Sequence, residues 1–368
     1  MEKLTDQRSD RLLSLDVMRG IIMILLAAES ALLYDSLAGL EAGGLAGSLI
    51  RQFFHHPWNG LRFWDLVQPA FMTIAGTALY FSYRKKQQQG ISWKQHFRHV
   101  LIRSFRLFLC GVALHCVYAG KLVWELWNVL TQLSVTTLIA YLIIGRSIKV
   151  QLAVSVCLLL LTELLYRTVL MPGFDQPFAE GRNFGSWMDT VLMGKINSDG
   201  WVAINILPTA VHTIAGVAIG KAFSTYKTHL LRNLITAALL CLLAGYALDL
   251  LHITPIIKRI STSSFVLASL GWVILIFVMI YWLVDRLQYR KYAWIVTVVG
   301  MNAIFIYLFF ETVGRQWLNG VVKIFSDGLV GWTGIQDAGL EIVAAFAVLL
   351  AEWCLCYWLY KKRIFFKL

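Results

Sequence analysis

Apolar runs close to the length of a membrane span recur along the whole chain, separated by short polar or basic connections. About 20 helical residues cross the roughly 30 Å hydrocarbon layer, and a helix satisfies its own backbone groups there. The pattern predicts about ten spans: 17 to 38, 62 to 83, 99 to 119, 124 to 145, 149 to 170, 202 to 223, 232 to 250, 264 to 284, 292 to 312 and 339 to 360. The expected fold is therefore an all-α polytopic transmembrane helix bundle, with residues 1–368 forming a single domain. A further apolar stretch, Trp317 to Trp332, is broken by Gly320, Asp327 and Gly328 and reads as a re-entrant or interfacial helix. Counting it as an eleventh span would move the C-terminus to the opposite side.

Composition agrees with the pattern. The chain is 58% hydrophobic with only 15% charged residues, against roughly 25% in soluble domains, which leaves no room for a separate soluble domain. Its formal charge of +12 is spread in short clusters between apolar runs, which argues for positive-inside anchoring and against nucleic acid. About twenty Lys and Arg fall on the N-terminal side, including Arg84 to Lys86 and Lys361 to Arg363, and about ten on the other. Both termini are thus expected in the cytoplasm, with residues 39 to 61, 171 to 201 and 313 to 338 as the long outer connections. The N-terminal residues 1–16 are too polar for a cleaved signal peptide, so the first span is expected to be retained. Cys110, Cys116, Cys157, Cys241, Cys354 and Cys356 all lie in or beside apolar runs, without a CxxC pair, and read as small core residues rather than metal ligands.

Polar groups at membrane depth cost about 2.5 to 3.5 kcal/mol each unless paired or hydrated, and so point to function. The segment Phe53 to Pro69, FFHHPWNGLRFWDLVQP, gathers His55, His56, Trp58, Asn59 and Asp65 at the mouth of the second span. Glu29 and Ser30 lie toward the outer end of the first span. Asn128 and Gln132, four apart, share one face of the fourth, and Asn302 and Glu311 lie in the ninth. Arg103 and Arg106 share a face near the inner end of the third span. With Arg19 and the cluster containing Lys85 they form a cationic inner pole suited to phosphates. A ligand lying across the membrane, phosphates inside and reactive end outside, fits both poles. Simpler roles compete: the arginines can snorkel to headgroups, Glu163 and Arg167 can pair, His212 can be a core histidine, and Asp16 with Arg19 can fix the start of the first helix.

The motifs SLDVMRG (Ser14 to Gly20), HHPWNGLRFWDLVQP (His55 to Pro69), NILPTAVHTIAGVAIGK (Asn205 to Lys221), TSSFVL (Thr262 to Leu267) and GMNAIFIY (Gly300 to Tyr307) occur in this order. In that combination the chain resembles the heparan-alpha-glucosaminide N-acetyltransferase family, which includes bacterial homologues of the lysosomal enzyme. The resemblance implies a multi-pass enzyme of the bacterial inner membrane that passes an acetyl group from cytosolic acetyl-CoA to an amino sugar or glycan on the far side. It implies no metal. It also implies that His55, three residues before the tryptophan of WNG, is the active histidine, either as general base or as an acetylated intermediate. Asp65 or Glu29 would orient the ring, with Asn59 beside it. Arg103, Arg106, Arg19, Asn302 and Lys85 would bind the cofactor, and His56, Trp58, Asn128, Gln132 and Glu311 the acceptor. Where the family carries an asparagine near the end of the first span, this chain reads AAES, so Glu29 or Ser30 takes its place; NVLTQL (Asn128 to Leu133) stands where many members have VLQR. Membrane lipid is an expected neighbour, and the sequence does not fix the oligomeric state, homodimer included. The competing reading is a transporter for an N-acetylglucosamine-like sugar that uses the same outer cluster as a gate.

Overall fold

A computed structural model describes residues 12–225, 228–334 and 337–366; the polar N-terminal stretch 1–11 lies outside them. The helices run α1 (Leu13–Ser30), α2 (Leu33–Ala38), α3 (Gly44–Arg51), α4 (Val67–Gln88), α5 (Trp93–Ala119), α6 (Val129–Leu142), α7 (Ile148–Thr168), α8 (Phe184–Met193), α9 (Ile206–Thr225), α10 (Leu230–Leu250), α11 (Ser263–Tyr281), α12 (Ala293–Met301), α13 (Ala303–Phe309), α14 (Asn319–Val330) and α15 (Asp337–Lys361). Among the described residues there is no strand, only the isolated bridges Asn59–Ile257 and Met171–Phe174.

All ten expected spans carry helix, but not all as one crossing helix. Six are long and apolar enough to cross among the described residues: α5, α7, Ala203–Thr225, α10, Ser263–Arg286 and α15. Ala293–Met301 with Ala303–Val330, bent by 75°, makes a seventh if it is one span. The other three differ for visible reasons. α1 carries Asp16, Arg19 and Glu29 and stops at Ser30, because Leu32 takes left-handed backbone with φ 61°. α4 runs on into the polar RKKQQ end. α6 has 14 residues, about 21 Å of helix.

The described residues divide into two compact units, one from residues 12–40 and 276–366, the other from Glu41–Leu275. In the first, α1 and α12 pack backbone to backbone: a Cβ on Gly20 would stand 2.1 Å from the Val296 carbonyl oxygen, and one on Gly300 would stand 2.8 Å from Gly20 N. The glycines of SLDVMRG and GMNAIFIY are thus each other's packing surface. Asp285 accepts the Leu13 and Ser14 amides at 3.2 and 3.0 Å and so caps α1, while Asp16 pairs with Arg19 at 3.4 Å, as its spacing suggests. The π-helix Phe310–Leu318 runs from the end of the ninth expected span into α14, which carries most of the apolar stretch Trp317 to Trp332 and exposes Ile324, Phe325 and Leu329.

In the second unit α4 and α9 form the central pair. Gly76 and Gly216 bring them together, since a Cβ on either would fall 2.0 Å from a carbonyl oxygen of the other helix, Thr213 or Thr73. Thr77 Oγ1 donates to Gly216 O across the crossing at 3.0 Å. Around this pair the sequence starts its helices with side-chain caps, Ser92 for α5, Asn128 for α6, Ser147 for α7 and Asn183 for α8, each worth about 1 kcal/mol. His212 is a buried core residue bonded to Ser269 at 2.9 Å, and Glu163 pairs with Arg167 at 3.1 Å. Cys157 and Cys354 are exposed rather than in the core, whereas Cys356 is buried.

Candidate active site

The site is built in the Glu41–Leu275 unit from three connections and the start of α4. Phe63–Leu66 forms a single 3-10 turn ahead of α4. Asp65, third in that turn, reaches back to accept the Arg62 amide at 2.9 Å, and the Arg62 guanidinium donates to the His55 carbonyl at 3.0 Å. The Asp65 cap places a carboxylate at the positive end of a helix. Asp65 Oδ2 also accepts the His56 amide at 3.3 Å, leaving Oδ1 for His55 Nδ1 at 2.8 Å. Asp65 is 0% exposed, whereas the His55 side chain is 33% exposed.

The connection before α11 supplies the cation. Lys258 Nζ lies 3.1 Å from His55 Nδ1, 3.7 Å from Asp65 Oδ1 and 5.4 Å from the Trp201 ring centroid. TSSFVL shapes this loop: the Thr262 and Ser264 hydroxyls both donate to Pro255 O at 2.7 Å, and Thr262 Oγ1 accepts the Ile257 amide at 3.0 Å. WNG docks on it, with Gly60 N donating to Ile256 O at 2.7 Å beside the Asn59–Ile257 bridge. The long 171 to 201 connection closes the third side. Trp58 Nε1 donates to Phe178 O at 2.8 Å, Arg259 pairs with Glu180 at 3.1 Å, and the Trp201 ring stands edge-on to His55 at 5.5 Å. Below it Asp189 accepts the Trp127 indole at 2.7 Å and the Ala203 amide at 2.9 Å.

Asp65 is an acceptor on both oxygens, so the proton shared with His55 belongs to Nδ1. Among the described residues Nε2 carries no hydrogen bond, and it is the ring's available base. Burial and the Lys258 ammonium push the His55 pKa down to about 4, against the upward pull of Asp65. Burial also raises Asp65, but His55, Lys258 and the Arg62 amide outweigh it and leave the carboxyl below its ordinary value. Burial and then Arg62 lower His56. Asp189, dominated by burial, is raised to about 6.

Of the residues the sequence singled out, His55, His56, Trp58, Asn59 and Asp65 come together here. The Asn59 side chain is exposed and its backbone makes the contact. Gln132 is reached indirectly: Gln68 donates to Gln132, Gln132 to Asn205 at 2.8 Å, and Asn205 to the Arg259 carbonyl at 3.2 Å. Asn128 is spent as the α6 cap, accepting the Leu130 amide at 2.7 Å. Arg103 and Arg106 are exposed on α5, and Lys85 is exposed on the last turn of α4.

Arg19, Glu29, Asn302 and Glu311 belong to the other unit. There Glu29 is exposed, Glu311 is partly buried in the π-helix, and Ser30 donates to Phe310 O at 2.8 Å. Asn302 is buried at the α12–α13 break, its amide donating to Ile364 O and accepting from Phe366 N, both at 3.0 Å. The C-terminal backbone therefore occupies the group expected to meet a cofactor.

Sequence reasoning missed Lys258, Arg259, Trp201 and Asn205. Lys258 and Arg259 did carry a signal. They fall on a connection that the alternation of spans assigns to the outer side, where the charge bias disfavours Lys and Arg. Among the described residues no group of three His, Cys, Asp or Glu could hold a metal.

A family model described as heparan-alpha-glucosaminide N-acetyltransferase, catalytic, matches residues 11–251, well over half of the chain. Curated relatives include the heparan-alpha-glucosaminide N-acetyltransferases of Mus musculus, 30% identical over 135 residues, and of Homo sapiens, 31% identical over 133. These alignments take in 35% and 34% of this chain and 18% of each relative, so the chain spans under a fifth of the length of those relatives.

Proposed function

The chain belongs to the heparan-alpha-glucosaminide N-acetyltransferase family, and on that footing we propose that it is a membrane acetyltransferase moving an acetyl group from cytosolic acetyl-CoA to a glucosamine-type amino sugar. The observation that carries this reading is the pairing of His55 Nδ1 with buried Asp65 at 2.8 Å, which leaves Nε2 as a neutral base on a partly exposed ring. In direct transfer the acceptor nitrogen attacks the thioester carbonyl and the new N–C bond forms as the C–S bond breaks. Nε2 takes the proton from the amine and returns it to the departing thiolate. Trp58 and Trp201 offer the aromatic faces on which a sugar ring packs, and His56 lies beside them.

The ten helical segments are read as spans with both termini in the cytoplasm, acting as one acyltransferase domain in a bacterial inner membrane. The three connections of the site then all face outward. Arg103, Arg106 and Lys85, all of the Glu41–Leu275 unit, form the inner pole for the cofactor's phosphates. Asn302 is dropped from this set because its amide serves the C-terminal backbone.

The test is binding of acetyl-CoA, CoA and an unrelated adenine nucleotide to purified protein in detergent, followed by acetylation of glucosamine-type acceptors. Saturable binding specific to the CoA compounds, weakened when Arg103 and Arg106 are changed together, is the expected result. Folded protein that binds none of them would sink the enzyme reading, and sugar uptake into liposomes would then test the transporter.

A further inference from the structure

Lys258 is a buried lysine, 7% exposed at its side chain, in a loop that four hydroxyl contacts hold in one conformation. Its ammonium stands within reach of both members of the His55–Asp65 pair and over the Trp201 ring.

Two proton arrangements compete. If Nδ1 were bare and accepted from Lys258 at 3.1 Å, the ring's lone pair would face Asp65 Oδ1 at 2.8 Å, acceptor against acceptor. If Nδ1 carries the proton, it donates to Asp65 over the shorter distance, and the ammonium turns its protons to Oδ1 and the indole face. The second arrangement sets no acceptor against an acceptor. In it Lys258 also opposes a second proton on the imidazole, since like charges this close in a dry site repel strongly.

We propose that Lys258 is a positioning residue of the transfer site: its ammonium, set between the Nδ1 edge of His55 and Asp65, holds the imidazole in the neutral Nδ1–H form and so keeps Nε2 as the proton acceptor. Its part in catalysis rests on the acetyltransferase reading; its effect on the ring does not. The other charged or titratable groups facing His55 are Asp65, Arg62 and His56 on its own connection and Arg259 beside Lys258, the last paired with Glu180. Burial of the ring acts most strongly toward its neutral form, Lys258 next, and Arg259 more weakly than either.

The experiment follows the histidine ring signals of full-length, isotope-labelled protein in detergent between about pH 5 and 8, with His55→Gln to assign them, in wild type, Lys258→Met and Lys258→Arg. Wild-type His55 is expected to be neutral with Nδ1 protonated across the range. Lys258→Met is expected to raise its titration midpoint by at least about one pH unit, and Lys258→Arg to keep it near the wild-type position. The acid limb of acetyl transfer should move up in pH with the midpoint in Lys258→Met, with the KM for acetyl-CoA unchanged. A midpoint that does not move in Lys258→Met, or an Nε2–H ring in wild type, would overturn the proposal. If Lys258→Met fails to fold, Lys258→Gln, which also removes the charge, is read in the same way, and an unmoved midpoint there overturns the proposal equally. Absence of acetyl transfer with the expected titration would count against the enzymatic reading alone.

Discussion

Asp65 Oδ1 stands 2.8 Å from His55 Nδ1 while the Arg62 amide, at 2.9 Å, holds the other oxygen of the same buried carboxylate. One side chain thus caps the start of a helix and orients the proposed base. Asp65→Asn keeps the shape but offers one acceptor oxygen where two are used, and it leaves Lys258 buried without its countercharge. Turnover is expected to fall by on the order of 10² to 10⁴, with a lower melting temperature in detergent. A variant with normal turnover would remove Asp65 from the mechanism.

The adjacent histidines separate cleanly. His55 presents a free Nε2 beside Trp201, whereas the His56 ring covers Gly60, whose Cβ, if present, would lie 2.6 Å from His56 Nε2. His55→Ala should lose acetyl transfer by about 10²-fold or more and still bind acetyl-CoA. His56→Ala should keep turnover within about tenfold, with its loss mainly in acceptor KM. Steady-state kinetics of the two purified variants decide it, and equal losses would contradict the assignment.

Stability should respond to acid through two opposing groups. His55 titrates near 4 when folded against about 6.5 when unfolded, so the unfolded chain binds the proton first and stability falls as pH drops from about 6.5 through about 4. Asp189, raised from 3.8 to about 6, works the other way: the folded state holds its proton more tightly, and that contribution fades as pH rises through about 6. Asp65, held below 3.8, adds a loss only in stronger acid. Asp189→Asn is expected to remove the counterweight, making the fall in melting temperature between pH 6 and 4 steeper than in wild type. Parallel curves would show that Asp189 is not the compensating group.

Legibility in the sequence followed distance along the chain. His55 and Asp65 are ten residues apart in one short segment, so their meeting could be read from local spacing. Lys258 joins them from 203 residues away, and only the positive charge on an expected outer loop hinted at it. Asn128 and Asn302 looked functional because polar groups in apolar helices usually are, yet each satisfies backbone groups, a helix start in one case and the segment after α15 in the other. The ten helical segments were legible from hydropathy. The break at Leu32 and the 14-residue length of α6 were not, because an apolar window averages over a single backbone reversal.

The α4–α9 crossing carries the site, since α4 begins two residues after Asp65 and α9 directly after Asn205. Gly216→Ala puts a methyl 2.0 Å from the Thr73 carbonyl oxygen, a backbone atom that cannot swing aside. The helices must separate, at about 1 to 3 kcal/mol for an overpacked contact, and the two ends of the site move with them. Both melting temperature and acetyl transfer should fall. Gly328→Ala is the control: it adds the same methyl inside a helix where nothing lies within 4 Å, so it should leave stability unchanged or slightly raised. Equal behaviour of the two variants, read by thermal unfolding in the same detergent, would mean that close backbone approach at Gly216 does not set the geometry of the site.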